Sequence, residues 1–173
     1  MSEAGHAIVV MGVSGCGKTS VGAGLAARLK APFVEGDELH PEANVAKMAA
    51  GLPLTDHDRR PWLQTIAARI AAEPAPVIVV SCSALRRAYR DLLRTESARP
   101  VAFVYLHGSE ALLASRMNAR RDHFMPSALL ASQLATLESP QGEPGVVTVD
   151  VGGTIAEIIA AAAAPFVSTI LPD

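Results

Sequence analysis

Eight consecutive residues, Gly12-Val13-Ser14-Gly15-Cys16-Gly17-Lys18-Thr19, carry the sharpest chemical signal in this chain. They fit G-x-x-x-x-G-K-[ST] at every fixed position. Glycines at this spacing let the backbone curl until its N–H groups converge on an anion. A helix that opens at the lysine adds its positive end to the same point. The pattern predicts that Lys18 reaches the β- and γ-phosphates of a nucleotide and that the Thr19 hydroxyl binds Mg²⁺. Cys16 fills a variable position and has no histidine partner, so it reads as a small residue that fits, not as a nucleophile.

Two further groups could act on a bound triphosphate. Asp37 lies in Glu35-Gly36-Asp37-Glu38-Leu39-His40-Pro41, at the end of a short apolar run. A carboxylate there can orient an acceptor hydroxyl and take its proton, or hold metal-bound water. The plainer reading is a turn aspartate beside Gly36. Arg116 and Arg120 stand one helical turn apart, with Arg121 and His123 just beyond. This cluster reads as a short lid, about residues 118–126, whose arginines stabilise transferred charge and exclude water.

Such groups need elements to position them. Apolar runs at 7–11, 33–35, 77–81, 101–106 and 146–151 predict five strands. Helical patterns fall between them, at 18–30, 41–50, 59–72, 84–94, 109–118 and 126–138, with an alanine-rich helix after Thr154. Thr55, Ser83, Ser109 and Thr154 are the expected N-caps. Strands alternating with helices imply an α/β fold, with a mainly parallel sheet covered on both faces. Ligands in such folds sit beyond the carboxyl ends of the strands.

The whole chain, 1–173, reads as a single domain. Half its residues are hydrophobic, enough for a core, and its formal net charge of −2 argues against a dedicated nucleic-acid binder. The sequence holds no apolar run long enough for a membrane span, and its first residues do not read as a secretory signal. Two cysteines, far apart, suit a reducing cytoplasm.

A phosphate-binding loop serves kinases, GTPase switches and motor ATPases alike. No N/T-K-x-D segment for guanine occurs here, and no strand ends in an aspartate of the Walker-B kind, because Val77–Val80 runs into Ser81-Cys82-Ser83. That combination points to a small-molecule kinase with Asp37 as its acceptor-side carboxylate.

The chain resembles the bacterial-type gluconokinases, relatives of shikimate and nucleoside-monophosphate kinases. The segments that carry the resemblance include MGVSGCGKT (11–19), GDELHP (36–41), NVAKM (44–48), LTDHDRRPWL (54–63), CSALRRAYRDLLR (82–94), SRMNARRDHF (115–124) and SQLATLESP (132–140). The resemblance implies a P-loop kinase three-layer sandwich with a five-stranded sheet and a short lid. It implies phosphorylation of D-gluconate at its 6-hydroxyl by ATP with Mg²⁺, a cytoplasmic setting and a homodimer. Gly12 through Thr19, Arg116 and Arg120 would bind nucleotide. Lys18, Asp37 and Arg120 would be catalytic. Asp37, His40, Lys47, Arg60, Arg90 and His123 would meet the substrate.

The residue types suit a polyol carrying a carboxylate. Twelve of the fifteen basic residues are arginine, whose planar fork matches that group. Arg86, Arg90 and Arg94 share one helix face, and position together with resemblance makes Arg90 the expected carboxylate or hydroxyl partner. The chain departs from the family at Asp122, where glycine is usual, at Met125, where an aromatic is common, and at Ala135, where glutamate is frequent. Two other readings are a kinase of shikimate or another small hydroxy acid, and a nucleotide-gated binding module with slow ATP hydrolysis.

Overall fold

Five residues in a row without a polar side chain, Ala7 to Met11, make a strand that can exist only in the middle of a sheet. They form most of β1 (His6–Met11), and each is completely buried. Successive strand residues point to opposite faces, so burial of all five means that both faces are covered. The computed structural model describes residues 5–119 and 127–170.

The other elements follow in alternation: α1 (Lys18–Leu29), β2 (Phe33–Glu35), a 3₁₀ turn (Gly36–Leu39), α2 (Glu42–Ala49), α3 (Asp56–Ala72), β3 (Val77–Ser81), α4 (Arg87–Glu96), β4 (Val101–His107), α5 (Glu110–Ala119), α6 (Ser127–Thr136), β5 (Val146–Asp150) and α7 (Ile155–Ile170). The strand order is β2-β3-β1-β4-β5, and every pairing is parallel. Val9 lies opposite Val80 on one side and Phe103 on the other. The chain leaves β1 toward β2 on one side of the sheet and later returns to β4 on the other. The end of β1 is therefore a topological switch point, where an open α/β sheet binds its ligand. The phosphate-loop motif occupies this point.

Helix α1 packs against α7, and α3 against α4. The core joins the strands to Leu25, Trp62, Leu63, Ile66, Ile70 and Leu93 from the helices. Caps follow the sequence at three helices. Thr55 and Asp58 form a reciprocal capping box on α3. Ser109 Oγ accepts from Leu112 N at 3.2 Å, and Thr154 Oγ1 from Glu157 N at 3.2 Å.

Helix α3 begins at Asp56, three residues before the expected start, and the start of α4 differs in kind. The helix expected from Ala84 begins at Arg87, and Ser83 does not cap it. Ala84 takes a left-handed φ of 44°, which turns the chain before the helix can start. Its carbonyl is then free to accept from Arg90 Nη1 at 2.7 Å. A long-range use of the backbone overrides the local capping signal. Among the described residues, no helix is long and apolar enough to cross a membrane.

Candidate active site

The loop from β1 to α1 is built around three glycines with positive φ: Gly12 at 148°, Gly15 at 84° and Gly17 at 95°. Gly17 is the N-cap residue of α1, and no side chain caps that end. A Cβ on Gly15 would stand 2.8 Å from Met117 Cγ and 3.0 Å from the Leu113 carbonyl. Glycine is thus what lets the loop press against α5. Lys18 Nζ donates to the carbonyls of Gly12 (3.0 Å) and Val13 (3.2 Å), which holds the ammonium over the loop. Cys16 is buried, as a residue chosen for fit should be.

Glu35, at the end of β2, ties this loop to the neighbouring strands. Its carboxylate accepts from Thr19 Oγ1 at 2.6 Å and from the Ser81 hydroxyl at the end of β3. Ser81 Oγ in turn accepts from Gly36 N at 3.2 Å. A Cβ at Gly36 would fall 2.0 Å from the Ser81 carbonyl, so only glycine allows the two strand ends to meet this closely. The carboxylate that β3 lacks is thus supplied from β2. The signal was present in the sequence as a glutamate two residues before Asp37, but its direction depends on the sheet order. Cys82, next in the chain after Ser81, is inert, because burial pushes its thiol up to about 12.

A cleft opens beside the loop. Ser14, Lys18, Asp37, His40, Arg59, Trp62 and Gln133 line it, with Met48, Leu52, Pro53 and Leu54 forming an apolar rim. Asp37 arrives on the 3₁₀ turn. His40 stacks on Trp62 with ring centroids 4.0 Å apart, and Trp62 Nε1 donates to the Gly36 carbonyl at 2.8 Å. Burial lowers His40 to about 4; Asp37 opposes that shift and Arg59 adds to it. The imidazole is therefore neutral at pH 7. Gln133, reaching from α6, accepts at Oε1 from Ser14 N (2.8 Å) and Ser14 Oγ (3.0 Å).

Arg59 is the cation that helix phase brings in. It precedes Trp62 by three residues and Leu63 by four, so it shares the inward face of α3. Its Nη1 donates to Tyr89 Oη at 2.9 Å, and Tyr89 Oη donates to Asp56. Arg60, the expected residue, stands on the next face round and is exposed.

The structure does not bring Lys47 or Arg90 to the cleft either. Lys47 Nζ is bound to Asp58 at 2.7 Å, a contact that pins α2 to α3. That hydrogen bond, more than the Thr55 amide, holds the Asp58 carboxyl down at about 2. Arg90 is fully buried in α4, bound through Nε and Nη2 to Glu143 (3.0 and 2.6 Å) and to the carbonyls of Ala84 and Glu138. Its fork is spent on holding the segment after α6. Arg116 lies on α5 and donates to the Val151 carbonyl at 2.5 Å, in the loop after β5. Arg120, Arg121, Asp122, His123 and Met125, with most of the expected lid, lie outside the described residues. Ala135 is an exposed position on α6.

Chemically, the cleft joins a phosphate-binding loop to a carboxylate, a neutral imidazole and a guanidinium. A hydroxyl that donates its proton to Glu35 keeps its oxygen lone pairs, so Thr19 can still offer an oxygen ligand to a hard cation. Among the described residues, no cluster of three or more His, Cys, Asp or Glu could hold a metal by itself.

Comparison with known proteins identifies relatives of the chain by sequence and by fold. A family model described as an AAA domain matches residues 8–140. The gluconokinase of Gluconobacter oxydans (strain 621H) is 51% identical over 144 residues, covering 82% of this chain and 80% of that protein. The thermosensitive gluconokinase of Escherichia coli (strain K12) is 43% identical over 158 residues, covering 90% and 84%. The crystal structure of a gluconokinase from Sinorhizobium meliloti 1021 superposes with a TM-score of 0.86 at 55% identity, over 92% of this chain and 90% of that one. An APS kinase from Mycobacterium tuberculosis, 21% identical with a TM-score of 0.62, shares the fold.

Proposed function

The chain belongs to the gluconokinase family, and from that premise we propose how its cleft works. The enzyme phosphorylates D-gluconate with ATP, giving 6-phospho-D-gluconate. The observation that best supports the assignment of roles is the meeting of two sets of residues in one cleft. The phosphate loop contributes Ser14 and Lys18, and Asp37, His40 and Arg59 face them.

The loop amides and Lys18 grip the terminal phosphates of ATP. Asp37 orients the 6-hydroxyl and accepts its proton as the oxygen attacks the γ-phosphorus. The new bond joins that oxygen to the γ-phosphorus, the bond to the β,γ-bridging oxygen breaks, and ADP leaves. Arg59 takes the gluconate carboxylate through its planar fork, held in place by Tyr89. His40 hydrogen-bonds to the polyol. Thr19 would hold Mg²⁺, with Glu35 positioning its hydroxyl. Such an ion would supply charge neutralisation for the phosphates. Arg116, Arg120 and His123 belong to the same proposal as nucleotide- and substrate-side groups.

A coupled assay with ATP, Mg²⁺ and a panel of polyol acids tests the reading. Turnover on gluconate is expected. Turnover on shikimate or another hydroxy acid, with none on gluconate, would reject the substrate. ADP release that ignores the acceptor would instead favour a nucleotide-gated module. The homodimer is part of the proposal, and sedimentation should read about twice the 18.0 kDa of one chain.

A further inference from the structure

We propose that Asn44 is a positioning residue that fixes His40 as its Nε2–H tautomer, so that the ring offers the substrate side of the cleft one neutral donor. Asn44 is a buried polar residue, 3% exposed, on α2. Its Nδ2 donates to the Asp58 carbonyl at 2.9 Å. A carbonyl only accepts, so the amide must face it with nitrogen, and the backbone of α3 settles which way Asn44 points. The same Nδ2 lies 3.1 Å from His40 Nδ1. With its second hydrogen aimed there, Nδ1 has to be the acceptor. A neutral imidazole that accepts at Nδ1 carries its proton at Nε2.

The supports of this arrangement are themselves fixed. Asp58 belongs to the capping box of α3, and its carboxylate is held by Lys47 at 2.7 Å. The ring plane is set by stacking on Trp62, which the Gly36 carbonyl anchors. Tautomer and ring plane are therefore imposed from two sides, by Asn44 and by Trp62, before any substrate arrives. In a cleft shared with Asp37 and Arg59, the division of labour follows. Nε2–H can give a hydrogen bond to a hydroxyl or carboxylate oxygen, but it cannot take a proton. The proton of the attacking hydroxyl is left to Asp37.

This inference rests on the proposed reaction for its meaning but not for its test. Long-range ¹H–¹⁵N correlation on ¹⁵N-histidine-labelled, ligand-free protein at pH 7 reads the tautomer directly. The five histidines are separated by the loss of one set of peaks in His40→Gln. Wild type should show a protonated Nε2 and an unprotonated Nδ1 at His40. A protonated Nδ1 or a tautomer mixture in wild type overturns the proposal, and that measurement needs no folded variant. Asn44→Ala should convert His40 to a mixture and raise KM for gluconate about tenfold, leaving KM for ATP within twofold. An unchanged tautomer in folded Asn44→Ala also overturns it. If the tautomer is as stated but gluconate is not turned over, the substrate assignment fails and this inference stands.

Discussion

Asp37 and Arg59 reach the same cleft from different elements, and their variants should separate chemistry from binding. Asp37→Asn keeps the shape and loses the proton acceptor. It should lower kcat by about 10²–10⁴, with KM for ATP little changed. Arg59→Ala should raise KM for gluconate by about 10–100-fold, the worth of hydrogen bonds to a charged group. Arg60→Ala should stay within about twofold, since Arg60 is exposed on another face. Initial-rate kinetics on the pair decide it, because equal effects would place the carboxylate elsewhere. Asp37, Lys18 and Thr19 were legible in the sequence because motif and strand end fix them. Arg59 was legible in principle, from its phase with Trp62, Leu63 and Ile66, although the family segment alone favoured Arg60. Glu35 and Gln133 were not, because their partners Thr19 and Ser14 are met through the sheet order and through α6.

At the scale of elements, the strands and most helices could be read directly, since parallel buried strands are unbroken apolar runs and three helices carry their own caps. The start of α4 could not. It depends on the Ala84 carbonyl turning toward Arg90, and on Glu143, which is 53 residues from Arg90 and sits in a polar loop with no periodicity to mark it. Arg90 is 0% exposed and Glu143 only 7%, so removing one partner strands the other inside the protein. Glu143→Ala should therefore destabilise the chain by about 3–5 kcal/mol, more than the exposed pair Arg87–Asp91 could yield. In a protein of this size that lowers Tm by about 10 °C in a thermal melt. Arg90 variants should show the same loss of stability in place of a selective rise in KM for gluconate.

The whole molecule should register these buried groups as acid sensitivity. His40 is lowered from 6.5 to about 4 in the folded state. Between those values the unfolded chain takes up a proton that the folded chain refuses, so stability is full above about pH 6.5 and falls as pH drops toward 4. The Asp58 carboxyl, held down at about 2 by Lys47, and that of Glu143, held below its usual range by Arg90, act lower. Their contributions are present above the ordinary carboxylate range and are lost as pH falls beneath it. Urea midpoints from pH 8 to 3 should decline in two stages, and His40→Gln should keep only the lower one. The stacked pair at the centre of this behaviour also has an optical consequence. Trp62 is the only tryptophan in the chain, 1% exposed, with its ring face against His40 in the cleft. The protein thus carries its own fluorophore where the sugar acid would dock. Emission from native, unlabelled enzyme should change in titrations with gluconate and stay nearly flat with nucleotide alone, so light would report which side of the cleft has filled.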